Sequence, residues 1–228
     1  AYQCRAAASE GKPEVTDIVP NESINAHQLI QIAASLEQGS EHPLARAVMD
    51  CAQKMNIQTQ SIKDFSAVTG NGVTAFIDDT KYLLGSPKFL SQQGVNVDTQ
   101  QITALQAKGK TVIGIASTAN KNHQILGYLA IADRLRDTSI KAVAQLQAMG
   151  IEVIMLTGDN SVTAAAVAKR TGITQYRAEV LPQDKAAEVM KMKTSGKITG
   201  MIGDGINDAP ALAAADVSFA IGAGSDVA

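Results

Sequence analysis

The chain has no tryptophan, and aromatic residues make up only 4% of its 228 residues. It also has no excess of basic residues, since 20 lysines and arginines stand against 22 acidic residues and the formal net charge is −2. Proteins that bind nucleic acid need a basic surface, and those that bind single strands also need aromatic rings on which bases stack. These two shortages predict that nucleic acid is not a partner of this chain.

Cysteines and long apolar segments are also scarce. Cys4 and Cys51 form neither a metal-binding pair nor a disulfide framework, which favours a reducing compartment. No apolar run approaches the ~20 residues that would cross a bilayer. Residues 1–9 lack the apolar segment of a signal peptide, and we interpret them as a cloning remnant that lies outside the fold.

The hydrophobic content of 45% is enough for the cores of two modest domains, and the sequence pattern changes near residue 132. Residues 10–131 combine strand-like alternation with helical periods, which predicts an antiparallel sheet with helices packed on one side. Residues 132–228 alternate helix and strand with short connections, which predicts a parallel sheet. The expected fold class is therefore α/β with an additional α+β domain.

Two carboxylates stand at a predicted junction between a strand and a helix. Asp204 and Asp208 follow the apolar run at residues 198–202 and are four residues apart, with the amide of Asn207 between them. Ligands bind at the carboxyl edge of open α/β sheets, and hard cations such as Mg²⁺ favour carboxylate oxygens there. This stretch therefore predicts a cation site.

Two further polar clusters accompany it. Thr157, Gly158 and Asp159 follow the apolar run at residues 151–156, and their hydroxyl and backbone N–H groups can bind phosphate oxygens. Lys185 stands near the start of a predicted helix and is a mobile positive charge suited to phosphate. Taken singly, Asp159 can be only a helix N-cap and Lys185 only a solvated charge. Three clusters at one edge of one sheet favour the functional interpretation.

These clusters resemble, in order and spacing, the signatures of the cytoplasmic catalytic unit of P-type ATPases, which belong to the haloacid dehalogenase superfamily. The matching segments are residues 155–160, 178–185 and 203–212. The resemblance implies a Rossmann-like haloacid dehalogenase sheet, ATP and Mg²⁺ as cofactors, and transfer of a phosphoryl group. It implies that Asp204 and Asp208 hold Mg²⁺, that Thr157 and Lys185 neutralise the phosphoryl group, and that the remaining polar positions orient them. Those positions are Gly158, Asp159 and Asn207.

The first half resembles the nucleotide-binding domain of heavy-metal P-type ATPases. The sequence Ser-Glu-His-Pro at residues 40–43 is similar to a signature of that subfamily, with Ser40 as the expected N-cap of a helix. The resemblance implies that Glu37 and His42 contact adenine, and that Gly70 and Gly72 let the backbone approach the nucleotide. A lone histidine beside a helix start is more often structural, and a lone Gly-x-Gly is more often a turn.

The ending of the chain is most similar to copper-type members, although zinc- and cadmium-type members are nearly alike there. The resemblance implies a cytoplasmic region of an integral membrane protein, of which residues 10–131 are the nucleotide domain and residues 132–228 the phosphorylation domain. It implies a transported heavy-metal ion and the membrane domain of the same polypeptide as partners. The region itself is expected to be monomeric.

One departure from the family pattern bears on activity. The family carries its phosphorylated aspartate in Asp-Lys-Thr-Gly-Thr, just before a segment similar to residues 9–13, whereas residues 1–8 contain no aspartate. The parallel sheet is therefore expected to lack its first strand, unless a neighbour or a shifted segment fills the gap. Without the nucleophile, the chain is expected to bind nucleotide without turnover. The alternatives are a soluble haloacid-dehalogenase-type phosphatase and a nucleotide-binding module without chemistry.

Overall fold

The structure, a computed structural model, describes residues 2–4, 12–40, 42–68, 72–119, 122–133, 135, 137–193, 196, 198–203 and 208–220. The strands are β1 (Tyr2–Cys4), β2 (Glu14–Pro20), β3 (Lys63–Val68), β4 (Gly72–Ile77), β5 (Thr80–Gly85), β6 (Thr111–Ala119), β7 (Asn122–Ala132), β8 (Val153–Leu156), β9 (Gln175–Arg177), β10 (Gly200–Gly203) and β11 (Val217–Ala220). The helices are α1 (Ala26–Glu37), α2 (Pro43–Lys54), α3 (Pro87–Gln92), α4 (Thr99–Gln106), α5 (Asp137–Ala148), α6 (Ser161–Thr171), α7 (Lys185–Lys193) and α8 (Ala209–Ala214).

The chain forms two compact units, Lys12–Asp133 and a second composed of Ala1–Gly11 with Arg134–Ala228. The predicted mixed α/β class is confirmed. In the described part of the chain, no helix is both long and apolar enough to span a bilayer.

The unit Lys12–Asp133 contains a six-stranded antiparallel sheet in the order β2-β7-β6-β5-β4-β3. β4 alternates between half-buried and buried residues, as expected for a strand with one face on the core. Asn25 caps α1, and Gln28 completes a reciprocal capping box with it. The antiparallel sheet that the sequence predicts for this unit is present, and Asp78 and Asp79 form the tip of the hairpin between β4 and β5.

Helices cover both faces of this sheet, so the expectation that they pack on one side is wrong. Leu84 packs in the core with α1 and α2, whereas its neighbour Leu83 packs in a separate cluster with Phe89 and Leu90 of α3. Successive residues of a strand point to opposite faces. Two adjacent buried leucines therefore require a helix layer on each side of β5.

The second unit contains a five-stranded parallel sheet in the order β11-β10-β1-β8-β9. All four residues of β8 are buried, as is usual for a parallel strand covered on both faces. Val153 and Met155 of β8 pack in a cluster with apolar residues of α5 and α6. Met201 of β10 packs in a cluster with α7 and α8. The predicted parallel sheet is confirmed, whereas β9 was not predicted.

The expectation that residues 1–9 lie outside the fold, and that the sheet lacks its central strand, is wrong for Tyr2–Cys4. Tyr2 pairs in parallel with Gly200 of β10 on one side and with Val153 of β8 on the other. Backbone groups of two buried strands must find partners, and a strand between them satisfies both sides at once. The shifted segment that the sequence left open as an alternative therefore fills this place.

Candidate functional site

Lys185 and Asp208 form an ion pair in the second unit, in which the Lys185 Nζ donates to Asp208 Oδ1. Lys185 is the first residue of α7 and follows a 3₁₀ turn, while Asp208 directly precedes α8. Both side chains are more than nine-tenths buried. Removing one partner of such a buried pair leaves an uncompensated charge and typically costs about 3–5 kcal/mol. The interpretation of Lys185 as a solvated charge is therefore wrong.

Gly203, the last residue of β10, allows the Asp208 carboxylate to fold back over the end of that strand. A Cβ at residue 203 would lie 2.7 Å from Asp208 Oδ2 and 2.8 Å from Asp208 Cβ. Real Cβ atoms do not approach other atoms so closely, so a larger residue would displace the carboxylate. Glycine at this position therefore holds Asp208 at the carboxyl end of β10.

Thr157 lies immediately after β8 and is almost completely buried. Its hydroxyl donates to Asp159 Oδ2 at 2.6 Å and accepts from the Asp159 backbone N–H at 3.1 Å. The N-cap of α6 is Asn160, whose side chain accepts from the backbone N–H of Thr163. The alternative that Asp159 is only the helix cap is therefore wrong, since its carboxylate orients the Thr157 hydroxyl.

Residues that follow β9 form backbone hydrogen bonds with the loop that contains Thr157 and Asp159. The Glu179 N–H donates to the Asp159 carbonyl at 2.8 Å, and the Val180 N–H donates to the Thr157 carbonyl at 3.0 Å. Glu179 has a φ of 56°, a left-handed conformation that costs a residue with a Cβ about 1 kcal/mol or more. The short strand β9 thus places a strained turn against the Thr157 loop.

The predicted residues of the second unit that the structure describes lie at one edge of its sheet. Thr157, with the exposed Gly158 after it, follows the carboxyl end of β8, and Asp208 folds over that of β10. β1 lies between those two strands, so their ends are two strand spacings, about 10 Å, apart. Asp204 and Asn207 lie outside the described residues. Among the described residues, no three His, Cys, Asp or Glu side chains converge as a metal site.

Asp216 holds the opposite end of β10, and sequence reasoning missed it because a lone aspartate between a helix and a strand has no pattern. Its Oδ2 accepts from the Thr199 backbone N–H at 2.8 Å and from the Thr199 hydroxyl at 2.9 Å. Its Oδ1 lies 2.9 Å from the Lys193 Nζ. These donors lower the pKa of Asp216 to about 2, with the Thr199 N–H as the largest cause. Asp216 therefore ties the start of β10 to the end of α7.

In the unit Lys12–Asp133, Glu37 ends α1 and is only 7% exposed. Burial raises the pKa of its carboxyl group, and a hydrogen bond from Ser40 opposes that shift in part. A buried carboxyl group with a raised pKa is a frequent feature of functional sites. Glu37 therefore stands at the junction of α1 and α2 as a candidate ligand-contacting group.

His42 is the N-cap of α2, a place that the sequence had assigned to Ser40. The His42 Nδ1 accepts from the Leu44 backbone N–H at 3.2 Å, while the Ser40 hydroxyl accepts from the His42 N–H at 3.4 Å. Because Nδ1 is the acceptor, the neutral ring carries its hydrogen on Nε2. Partial burial lowers the pKa of His42 and so favours this neutral form. His42 thus has a structural role, and its Nε2–H remains a donor.

Gly72 begins β4 and is closely packed. A Cβ there would lie 2.8 Å from the Cα of Gly85 and 2.8 Å from Cδ1 of the Phe89 ring, and would also meet the carbonyl oxygen of Leu84. Glycine at residue 72 is therefore required by the approach of β5 and α3. The expected role of Gly72 in nucleotide approach stays a prediction. Gly70 lies outside the described residues.

Comparison with known proteins gives relatives whose similarity extends over both units of the chain. A model of the haloacid dehalogenase-like hydrolase family matches residues 9–216. A copper-exporting P-type ATPase B of Archaeoglobus fulgidus is 43% identical over 220 residues, which are 96% of this chain and 31% of that protein. The resemblance to P-type ATPases that the sequence motifs predicted is confirmed.

Solved structures are similar to this chain over nearly its full length. A zinc-transporting PIB-type ATPase in the E2.Pi state has 33% sequence identity and a TM-score of 0.66, and the match covers 99% of this chain and 36% of that one. The catalytic domain of the CPx-ATPase CopB-B, studied for conformational changes upon nucleotide binding, has 26% identity and a TM-score of 0.70 over 96% of this chain and 78% of that one. The chain spans about a third or less of the length of the curated relatives it matches.

Proposed function

The chain belongs to the haloacid dehalogenase-like hydrolases, and on this premise we propose that it is the ATP-binding catalytic region of a longer P-type ATPase that exports copper. The observation that carries the proposal is the buried Lys185–Asp208 pair at the carboxyl edge of the parallel sheet. Burying a cation and a carboxylate costs desolvation free energy that their attraction often does not repay, so stability alone does not account for the pair. The orientation of Thr157 by Asp159 at the same edge supports the same assignment.

In the proposed phosphoryl site, the Lys185 ammonium donates hydrogen bonds to the oxygens of the transferred group, and the Thr157 hydroxyl, which donates to Asp159 in the structure, would turn to donate to one of those oxygens when the group is bound. Catalysis of phosphoryl transfer consists mostly of positioning and charge stabilisation, which these two side chains supply. Gly158, Asp159 and Asn207 orient them. Asp208, a carboxylate held at the end of β10, fits a hard cation, and with Asp204 it would hold Mg²⁺. When bound, Mg²⁺ would neutralise phosphate charge.

In the proposed nucleotide site, Glu37 and His42 contact the adenine base at the junction of α1 and α2, and Gly70 and Gly72 let the backbone approach the nucleotide. His42 contributes a hydrogen-bond donor, since its Nδ1 is occupied by the helix cap. The buried Glu37 carboxyl group offers a hydrogen-bonding partner for an exocyclic amine. Residues 12–133 are the nucleotide domain in this proposal, and the second unit is the phosphorylation domain.

The sequence has no aspartate before Asp17, so the central strand β1 carries none. Aspartyl phosphate formation needs that nucleophile. The chain as printed is therefore proposed to bind ATP without turnover, while the intact protein would form the phosphorylated intermediate. Transport of a heavy-metal ion would require the membrane domain of the same polypeptide as a partner, and the region described would be a monomer on the cytoplasmic side.

Copper and zinc are both candidates for the transported metal ion, and different comparisons favour each of them. The sequence relative named above is a copper exporter, whereas one similar solved structure is that of a zinc transporter. Copper(I) selects thiolate and thioether ligands, which the membrane domain would have to supply. Metal-dependent phosphorylation of the intact protein, measured with copper(I) and zinc in parallel, distinguishes the two.

The binding proposal is tested on the chain itself by titrating ATP and following backbone amide shifts. We expect perturbations around His42 and Gly72 without Mg²⁺, and additional ones around Thr157 when Mg²⁺ is present. Shifts confined to the second unit would contradict the assignment of the nucleotide site. In parallel, incubation with γ-labelled ATP is expected to leave no covalent label on the chain.

A further inference from the structure

The backbone hydrogen bonds between β8 and β9 change their register just after the two strands end. In a regular parallel ladder, the N–H and the C=O of one residue bind residues that are two apart on the neighbouring strand. The Thr157 N–H donates to the Arg177 carbonyl at 2.9 Å, so the regular donor to the Thr157 carbonyl would be Glu179. The observed donor is Val180, at 3.0 Å. One extra residue therefore stands in the chain after β9, as in a β-bulge.

The extra residue is Glu179, and its N–H points to a different acceptor. Glu179 has a φ of 56°, a conformation that side chains other than asparagine and aspartate seldom adopt. The Glu179 N–H thereby leaves the ladder and donates to the Asp159 carbonyl at 2.8 Å. The Glu179 side chain is exposed, so the contact is made by the backbone of this residue. Strained residues and bulges of this kind concentrate beside functional sites.

The bulge holds both ends of the loop at residues 157–159. Val180 binds the Thr157 carbonyl at one end, and Glu179 binds the Asp159 carbonyl at the other. Within the loop, the Asp159 carboxylate accepts from the Thr157 hydroxyl at 2.6 Å, and the Asp159 N–H donates to that hydroxyl at 3.1 Å. The place of the Thr157 hydroxyl therefore depends on where the bulge holds Asp159.

The same bulge lies a short distance along the chain from the other group of the proposed phosphoryl site. Val180 is buried, and the 3₁₀ turn Pro182–Asp184 leads directly to Lys185 at the start of α7. Five residues thus separate a fixed backbone contact with the Thr157 loop from the buried Lys185 ammonium. The bulge is therefore connected to both side chains that are assigned to the phosphoryl group.

We propose that Glu179 is a positioning residue of the phosphoryl site, an inference that rests on the proposed function. Its left-handed backbone directs an N–H to Asp159, and Asp159 in turn keeps the Thr157 hydroxyl in place for a phosphoryl oxygen. The requirement at residue 179 is the conformation rather than the carboxylate. Asparagine adopts that conformation readily, whereas a β-branched residue is a true outlier there.

The test titrates inorganic phosphate in the presence of Mg²⁺ into the full chain and follows the Gly158 amide shift. Glu179→Val is expected to weaken phosphate binding about 10-fold or more, because the hydrogen bond from Thr157 to a charged oxygen is lost. Glu179→Asn is expected to bind like the parent. Asp78→Val is the matched control, since Asp78 has a φ of 51° in a hairpin of the other unit. Urea denaturation is expected to show a similar loss of stability in both valine variants, but Asp78→Val should keep the parent affinity for phosphate.

Hydrogen exchange in the parent chain tests the same coupling and decides if Glu179→Val fails to fold. Phosphate at ten times its dissociation constant is expected to slow exchange of the Glu179 amide about 10-fold, because the ligand binds only the ordered loop. The Thr199 amide, which is bonded to Asp216 at the opposite end of β10, is expected to exchange at an unchanged rate.

The inference is overturned if Glu179→Val binds phosphate like the parent, or if Asp78→Val loses as much affinity. A loss in Glu179→Asn equal to that in Glu179→Val would also overturn it, because the carboxylate would then be the group that matters. An unchanged Glu179 amide, or equal slowing of the Glu179 and Thr199 amides, would do the same. A parent chain that binds no phosphate at all would instead contradict the proposed function.

Discussion

Lys193 and Asp216 form an exposed ion pair, and each of them is eight residues along the chain from a member of the buried pair of Lys185 and Asp208. The helix α7 is therefore joined at both of its ends to the segment that contains α8. The buried pair lies at the carboxyl edge of the sheet, and the exposed pair lies near the start of β10. The two pairs have the same chemistry but differ in burial. Comparing them therefore measures how burial changes the contribution of a Lys–Asp pair to the free energy of unfolding.

Lys185→Met is expected to lower the free energy of unfolding by about 3–5 kcal/mol, because it leaves the Asp208 carboxylate buried without its partner. Lys193→Met is the control, and we expect a much smaller loss, since both members of that pair are about one-third exposed and solvent screens their attraction. Urea denaturation of the three proteins measures the difference. Equal losses in the two variants would contradict the role assigned to burial.

Stability at low pH is expected to depend on Asp216. Its pKa in the folded chain is about 2, below the ordinary value of 3.8, so its stabilising contribution is complete above about pH 5 and is lost as the pH falls through about 2. In Asp216→Asn this part of the acid transition is expected to disappear. Hydrogen exchange of the Thr199 amide between pH 2 and pH 5 measures the effect locally, because that N–H is donated to Asp216. Identical exchange profiles in the parent chain and in Asp216→Asn would contradict the proposed contribution of Asp216 to stability at low pH.

His42→Gln is expected to weaken ATP binding without unfolding the domain. His42→Asn separates the two roles of the residue, since asparagine is a good N-cap and keeps the cap of α2 but has no imidazole. Both variants are expected to lose affinity, and only His42→Gln is expected to lose stability as well, by about 0.5–2 kcal/mol. His27→Gln, an exposed histidine on α1, is the control. Normal ATP affinity in His42→Asn would leave His42 with the capping role alone.

The same histidine predicts a pH dependence. The His42 Nδ1 can accept from the Leu44 N–H only when the ring is neutral, and the pKa of the ring is lowered by burial. The cap therefore contributes fully above the ordinary pKa of about 6.5 and is lost as the pH falls through the lower folded-state value. Titration of the His42 ring protons by NMR is expected to give a midpoint below the ordinary histidine value of about 6.5. A midpoint at or above that value would contradict the burial argument.

Gly203→Ala is expected to destabilise the chain by about 1–3 kcal/mol, because its Cβ would overlap the Asp208 carboxylate. Gly39→Ala is the matched control, since a Cβ at residue 39 meets nothing within 4 Å. Thermal unfolding compares the two. An unchanged stability of Gly203→Ala would contradict the close contact between residue 203 and the Asp208 carboxylate.

The parts of the fold that the sequence predicts are those with a strong apolar pattern. Residues 151–156 indicate β8 because four consecutive buried residues form a continuous apolar run. The same logic locates β10, and the polar residues after these strands then mark the edge of the sheet. The family pattern predicts both Lys185 and Asp208 as residues of one site. Their direct pairing is a tertiary contact, which no local spacing in the sequence specifies.

The parts that the sequence does not predict are decided by neighbours. Tyr2–Cys4 has no apolar alternation, and it becomes a strand because two other strands offer it their backbone groups. β9 is three residues long, too short for any periodicity. The second helix layer follows from Leu83 and Leu84 being buried side by side, a detail that a search for alternation overlooks.

The two ends of the unit Lys12–Asp133 meet, since the Lys12 N–H donates to the Asp133 carboxylate at 3.2 Å and Glu14 pairs with Ala132. Folding of the parallel sheet must bring Tyr2 to Val153, contacts that are remote in sequence and therefore slow to form. If the intervening unit folds first, the pairing of β2 with β7 has already closed that long loop, and the entropy of closure is no longer an obstacle. The insertion would then act as a folding template for the strands that flank it.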